Sequence, residues 1–182
     1  MEDKDILDIY KEGKKDYAFN LITRKYSERL YWHLRKLLNS HEDTNDILQD
    51  TLIKVWKNLP NYREDSKIYT WMYRIATNEA ITFLKRQQLK NKLLFKKIDN
   101  ENADDIIADP TFSGDKAQAD LQVAINALPP KQRAVFSLRY FDEMKYDDMV
   151  EILGGTTGSL KASYHHAYNK VKDHLLKVTN YE

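Results

Sequence analysis

Apolar residues return every three or four positions along most of this chain, a spacing that predicts helices before composition is considered. Phe19, Ile22, Tyr26, Leu30, Leu34 and Leu37 form one stripe of a long amphipathic helix, which Asn39-Ser40-His41 breaks. A second helix is expected to start near Asp43 or Thr44, where carboxylates suit its positive amino end. Leu48, Leu52, Val55 and Leu59 share its apolar face, and Pro60 stops it. A third opens near Ser66, its expected cap, and buries Ile68, Met72, Ile75 or Ala76, Ala80 and Phe83. Short connections between successive amphipathic helices predict an antiparallel bundle.

The pattern changes after about Lys90. Between Asp99 and Lys116 six acidic residues stand against one lysine, a local charge of −5, and Pro110 and Gly114 interrupt any helix. This stretch reads as a linker. Periodicity returns with Leu121, Ala124 or Ile125, and Leu128. Pro129-Pro130 ends that helix, and Pro130 begins the next, which carries Val135, Leu138 and Phe141. A short helix near Tyr146 to Leu153 follows, then the turn Gly154-Gly155-Thr156-Thr157-Gly158, then a last helix from about Ser159 to Val178. The expected architecture is all-α: two small helical domains (1–90 and 119–182) joined by an acidic linker (91–118).

Composition narrows the class. With 42% hydrophobic and 31% charged residues the chain suits a globular protein, and five glycines and four prolines disfavour a turn-rich β fold. Net charge is +1, so any nucleic-acid surface has to be local. Cysteine is absent, which excludes disulfides and thiolate metal sites. No apolar signal-peptide core or membrane-length run is seen, so the expected location is the cytoplasm, with no direct membrane insertion.

Three constellations are candidates for function. Short helix, glycine turn, longer helix is the helix-turn-helix pattern, whose second helix can enter the major groove. Near its amino end stand Thr157, Ser159, Lys161, Ala162, His165 and His166, and the stretch from Gly155 to Val178 has a local charge of +3. An ordinary αα-hairpin with a solvated lysine face gives the same pattern. The helix from Lys67 to Lys90 carries Lys67, Arg74, Lys85, Arg86 and Lys90 against Glu79, a local charge of +4. Tyr69, Trp71 and Tyr73 cluster at its start, preceded by Tyr62 and Arg63. Rings interleaved with cations suit single-stranded DNA, because bases stack on rings while cations hold the backbone. Trp71 falls off the Ile68–Met72–Ala76 stripe, which leaves it available; completion of the bundle core is the competing reading. Third, Asp46, Gln49 and Asp50 occupy one face of the second helix, a docking or solvated face rather than a catalytic pair. There is no phosphate loop, nucleophile elbow or His-Glu-x-x-His. His165 and His166 point about 100° apart on a helix and cannot easily chelate one ion together. No cofactor, metal, small-molecule substrate or enzymatic activity is expected.

In combination the three segments resemble the extracytoplasmic-function (ECF) group of the sigma-70 family, over nearly the whole chain. Asp46-Ile-Leu-Gln49-Asp50-Thr-Leu-Ile-Lys54-Val-Trp56 is similar to the region two segment that docks on the clamp of RNA polymerase. Tyr69-Thr-Trp71-Met-Tyr73-Arg74-Ile-Ala-Thr-Asn78 is similar to the segment that opens the minus-ten element. Leu128-Pro129-Pro130-Lys-Gln-Arg133-Ala-Val-Phe-Ser-Leu138-Arg139-Tyr140 is similar to the start of region four.

The resemblance implies roles. Asp46, Gln49 and Asp50 face the clamp, in one segment with Lys54 and Trp56. Tyr62, Arg63 and the loop to Tyr69 help hold an extruded base, with Asn78 lining that site. Trp71 and Arg74 support strand separation, and Arg86 belongs to the same minus-ten surface. Region four binds the minus-thirty-five duplex and the polymerase flap, and the acidic linker passes through the RNA exit path. Core polymerase, promoter DNA and an anti-sigma factor are the implied partners. The chain also departs from the family: Gly155 stands where isoleucine or valine is usual, and Ser163, His166 and Tyr168 where arginine is usual. Arginine is the strongest bidentate reader of guanine, so minus-thirty-five recognition is expected to be weaker or altered. The competing assignment is an autonomous helix-turn-helix regulator with an amino-terminal dimerisation or sensing bundle.

Overall fold

The computed structural model describes residues 1–97 and 116–179, and among them every regular element is helical. A first helix, α1 (Asp3–Lys11), precedes the predicted stripe; Ile6 and Leu7 bury its apolar side against α2 (Lys15–Leu38). The stripe on α2 is as predicted from Ile22 to Leu37, but Ala18 replaces Phe19 as its buried first member, and His33 joins it.

Asn39 then takes a left-handed conformation (φ 57°), which asparagine tolerates, and its N–H donates to the Arg35 carbonyl. Ser40 Oγ accepts the Asp43 N–H at 3.2 Å. The cap is therefore Ser40, and α3 (His41–Asn58) starts two or three residues ahead of the expected Asp43 or Thr44. Its buried face is Thr44, Ile47, Thr51 and Val55, while Leu48 and Leu52 are only half-buried. The threonines fit because their hydroxyls donate to carbonyls one turn back, Ser40 O at 2.6 Å and Ile47 O at 2.7 Å.

Pro60 turns the chain through a 3-10 segment (Leu59–Asn61) into α4 (Ile68–Lys97). This helix begins two residues after Ser66, whose carbonyl accepts the Tyr62 hydroxyl. It runs past the expected boundary at 90, so 91–97 are helical. At the far side α5 (Lys116–Asn126) already includes 116–118. The rest of the expected linker, with all six of its acidic residues, lies outside the described residues.

Downstream come α6 (Pro130–Tyr140), opened by Pro130 in its first turn as expected, α7 (Tyr146–Leu153) and α8 (Thr157–Thr179). Gly154 and Gly155 have φ of 72° and 86°, a turn that a side chain at either position would strain. Ser159 and Thr156 form a reciprocal cap: Ser159 N–H donates to Thr156 Oγ1 at 3.1 Å, and Thr156 N–H to Ser159 Oγ at 3.0 Å.

The upstream core joins α1, α2, α3 and α4. A smaller downstream core holds Ala124, Ile125, Leu128, Phe136, Ala167 and Val171. Ala134, Val135, Leu138, Met149 and Ile152 of α6 and α7 belong to the upstream apolar cluster instead. The two halves meet across α2, α4, α6 and α7. No described helix is long and apolar enough to cross a membrane.

Candidate nucleic-acid and polymerase interfaces

Four of the predicted minus-ten residues, Tyr62, Arg63, Trp71 and Arg74, line one cleft of about 420 Å³ with Asn61, Asp65 and Ser66. The bend at Pro60 turns Tyr62 back toward the first turn of α4, where its ring packs on Trp71 at 5.0 Å. Burial first, then the carboxylates of Glu64, Asp3 and Asp65, push the Tyr62 phenol up to about 12. It stays protonated and keeps a donor for the Ser66 carbonyl.

Trp71 corrects the expectation of an available ring. It is only 8% exposed, because α4 is covered on more than one side and its buried surface takes in Thr70, Trp71 and Tyr73 beyond the single stripe. Arg63, Arg74, Asn78 and Arg86 are exposed. Asn78 stands one turn beyond Arg74 and shares its face. Arg86 lies about 18 Å further along the axis than Arg74 and is not part of the cleft. Tyr69 is half-buried and lines a different cleft, between the two halves, beneath the Arg29 guanidinium at 5.7 Å.

Of the polymerase-docking candidates, Gln49 and Trp56 meet at one groove. Asp46, Gln49 and Asp50 are exposed along α3. Beside them runs an apolar groove of about 580 Å³ between α2 and α3, lined by Phe19, Leu48, Leu52, Ile53 and Trp56. The Phe19 and Trp56 rings meet edge-on at 5.0 Å, and Ile53 is 44% exposed. An open apolar floor edged by Asp16, Asn20, Asn45 and Gln49 suits a partner helix laid in the groove. Lys54 points elsewhere and pairs with Glu79 of α4 at 2.5 Å. Phe19 and Ile53 were missed as site residues because periodicity assigned one to the core and did not place the other.

On α8, Lys161, Ala162, His165 and His166 are exposed and Thr157 is half-buried. Ser159 is exposed, but its hydroxyl is taken by the cap. Lys161 Nζ stands 5.6 Å from the Tyr146 ring, which Arg139 approaches at 5.2 Å. His165 Nε2 contacts Asn169 Nδ2 at 3.0 Å.

Known proteins carry the same arrangement in the same order. Residues 22–90 match Sigma-70 region 2, and residues 118–171 match Sigma-70, region 4. The chain belongs to the sigma-70 family, in its ECF group. It is 27% identical over 173 residues to ECF RNA polymerase sigma factor SigW of Bacillus subtilis, covering 91% of this chain and 92% of that one. With ECF RNA polymerase sigma-E factor of Haemophilus influenzae it shares 24% identity, covering 96% of both. With ECF RNA polymerase sigma factor SigE of Mycolicibacterium smegmatis it shares 26% identity over 88% of this chain, and spans 62% of that relative's length. Among solved structures it resembles the sigma factor RpoE of Bartonella quintana, solved with the anti-sigma factor NepR, at TM-score 0.65 and 25% identity over 88% of this chain and 97% of that one. The fold is also that of CnrH, solved with the cytosolic domain of CnrY, at TM-score 0.62 and 19% identity over 90% of both chains.

Two sites at the junction of the sigma regions were invisible to sequence reasoning. His33 is fully buried in α2; its Nδ1 donates to Asp142 Oδ2 at 2.6 Å, and its Nε2 stands 2.8 Å from Thr77 Oγ1 of α4. Lys36 Nζ donates to Asp142 Oδ1 at 3.3 Å. Burial alone would raise the Asp142 carboxyl, but the hydrogen bond and attraction of His33, followed by Lys36, hold it below its ordinary value. Burial, with Asp142 nearby, pushes the Tyr73 phenol up to about 12. Arg133 is buried with no ion pair among the described residues, and desolvation brings it down to about 10. Its guanidinium donates to the Leu37 carbonyl at 3.1 Å and to the Asn126 carbonyl. Those carbonyls sit at the negative ends of α2 and α5, one from each half, so one cation caps two helices.

Proposed function

We propose that this chain is an alternative sigma factor that binds core RNA polymerase, directs it to a promoter and helps open the strands. The observation that carries this reading is the pair of sigma regions, in family order, on two helical units bearing different surfaces. In this assignment the α2–α3 groove, lined by Gln49, receives an apolar helical element of the polymerase clamp, and the exposed Asp46 and Asp50 of α3 face the clamp beside it. The cleft of Tyr62, Arg63, Trp71 and Arg74, continued by Asn78, takes a base and its backbone from the opened minus-ten strand. Tyr69 and Arg86 flank that path. Unstacking costs a few kcal/mol per step, which ring stacking at about 1–3 kcal/mol per base and phosphate contacts offset. Lys161, Ala162, His165, His166 and Thr157 address the minus-thirty-five duplex. The relatives' solved partners make an anti-sigma factor a further partner. The protein works in the cytoplasm with the polymerase, and it performs no catalysis of its own.

The test is reconstitution. Purified chain and core polymerase should form a stable complex and start transcripts from sheared DNA of the native genome. Asp46→Lys with Asp50→Lys changes only exposed positions, so the fold should survive while polymerase affinity falls by about tenfold or more. Unchanged affinity removes the Asp46–Asp50 face of α3 from this role. A chain that ignores polymerase yet grips duplex DNA tightly as a dimer is an autonomous regulator instead.

A further inference from the structure

The helix assigned to duplex reading carries imidazoles and no arginine. Three of the chain's five histidines, His165, His166 and His174, stand on α8. His165 and His166 are exposed, one turn beyond the exposed Lys161 and Ala162, and their ring centroids are 6.3 Å apart. Asn169 Nδ2 donates to His165 Nε2 at 3.0 Å, an arrangement that only a neutral ring can accept. Among the described residues the one histidine–carboxylate pair is His33 with Asp142, so neither imidazole on this face is held by an acid. We propose that duplex binding by α8 is proton-linked: His165 and His166 take up protons as they meet DNA, so affinity rises and base preference changes as pH falls. This rests on the sigma-factor reading for the identity of the duplex, the minus-thirty-five element, but the linkage itself needs only a duplex.

The surroundings favour this behaviour. On α8 itself Lys161 stands one turn before His165 and Lys170 one turn after His166, with Lys172 and the helix's one carboxylate, Asp173, two turns on. From α6, Gln132 accepts from Lys170 at 3.0 Å, and Arg139 shares the Tyr146 ring of α7 with Lys161. Of the α7 carboxylates, Asp148 and Glu151 line a cleft with the upstream half, and Asp147 is exposed. Helix α5 enters the same apolar cluster as Ala167 and Val171 through Ala124, Ile125 and Leu128; its charged groups are Lys116 and Asp120. The nearest charges along the reading face are therefore cations, and the compensating anions have to come from DNA.

Imidazole is the side chain that ordinarily gains its charge between about pH 5 and 8. A duplex carries about one negative charge per 1.7 Å, which favours the charged form of any imidazole held against it. The bound chain then holds more protons than the free chain. The gain in affinity is complete below the free chain's titration and is lost as pH rises through that of the bound form. From Gly155 to Val178 the local charge is +3 with neutral imidazoles and +5 with His165 and His166 charged. Each added phosphate contact steepens the logarithmic salt dependence by about 0.9. Base preference follows from donor count. A neutral imidazole offers one donor and one acceptor, an imidazolium two donors. Guanine presents two acceptors in the major groove, adenine an acceptor and a donor. Acid therefore moves these two positions from adenine toward guanine.

The test titrates full-length chain against a fluorescent duplex of randomised sequence, at one low salt concentration, from about pH 8 to about pH 5.5. Affinity should rise by about tenfold or more, the equivalent of one unit of raised pKa in the bound form. His165→Gln with His166→Gln alters exposed positions only and should flatten the profile while His33, His41 and His174 remain. His165→Arg with His166→Arg should be flat as well, and as tight at the alkaline end as the parent is at the acid end. The arginine pair makes the same test should the glutamine pair fold poorly. Sequencing the retained duplexes should show guanine enriched at the acid end for the parent but not for the glutamine pair. The helix signal in circular dichroism should stay constant throughout. Binding that is absent or flat across the range, that keeps its pH dependence in the glutamine pair, or that strengthens only as helix is lost overturns the linkage. None of those outcomes touches polymerase binding. A chain that shows the linkage but never binds polymerase keeps it and loses the sigma assignment.

Discussion

Two helices offer cations and polar side chains to nucleic acid, and the structure treats them in opposite ways. On α4 the ring expected to lead, Trp71, is buried, packed on Tyr62 in a cleft that Glu151 from the other half also lines. On α8 Lys161, His165 and His166 stand free of the junction. The difference follows from what each helix has to do. Strand capture needs rings, and rings exposed in water are an apolar liability until the strand arrives. Duplex reading needs polar side chains that water solvates well. Holding aromatic capture in reserve and leaving polar reading open is the cheaper arrangement for a chain that waits free in solution.

The largest expected effect breaks the comparison directly. Trp71→Ala removes a buried ring from the upstream core and should cost about 3–5 kcal/mol of unfolding free energy. His165→Ala on α8 should stay within about 0.5 kcal/mol. Urea titration of both variants checks this. A Trp71→Ala loss no larger than that of His165→Ala would mean α4 is uncovered in solution, and the contrast would vanish.

A middling effect comes from restoring an arginine on the open helix. His166→Arg supplies the bidentate fork that this recognition helix lacks, and a new base or phosphate contact should tighten duplex binding by roughly five- to tenfold. Titration at one fixed salt concentration measures it. Because His166 is exposed, the gain should appear in the chain as it stands, with no partner needed to uncover α8. No gain would mean that position 166 does not face the duplex.

How much of this was legible in the sequence depends on the range of the interaction. Helix existence was, because Ile22, Tyr26, Leu30, Leu34 and Leu37 fix one face by their spacing alone, and all five are buried. So was Pro130 opening α6. The groove was half legible: the Asp46–Asp50 face could be read, but not that Phe19 and Leu48 would fall short of the core and floor a groove. Trp71 was misjudged because a single stripe predicts one covered side, whereas α4 is packed by α2, α3, α6 and α7. The junction was illegible. His33 and Asp142 are 109 residues apart, and nothing near either residue marks it for the other. A lone histidine on an apolar helix face is a sign that can be noticed, but its partner has to be found in space.

The smallest expected effect decides what Ser159 does. The sequence placed it among base readers, whereas in the structure its hydroxyl donates to the Thr156 carbonyl at 2.8 Å and accepts the Thr156 N–H. A cap is worth about 1 kcal/mol whichever partner is removed. Ser159→Ala and Thr156→Ala should therefore lose similar small amounts of thermal stability. Both should also weaken duplex binding equally across sequences, by fraying the first turn of α8 rather than by deleting a contact. If Ser159→Ala alone changes the preferred bases, the hydroxyl leaves its cap on DNA, and the open face of α8 is remodelled by its target.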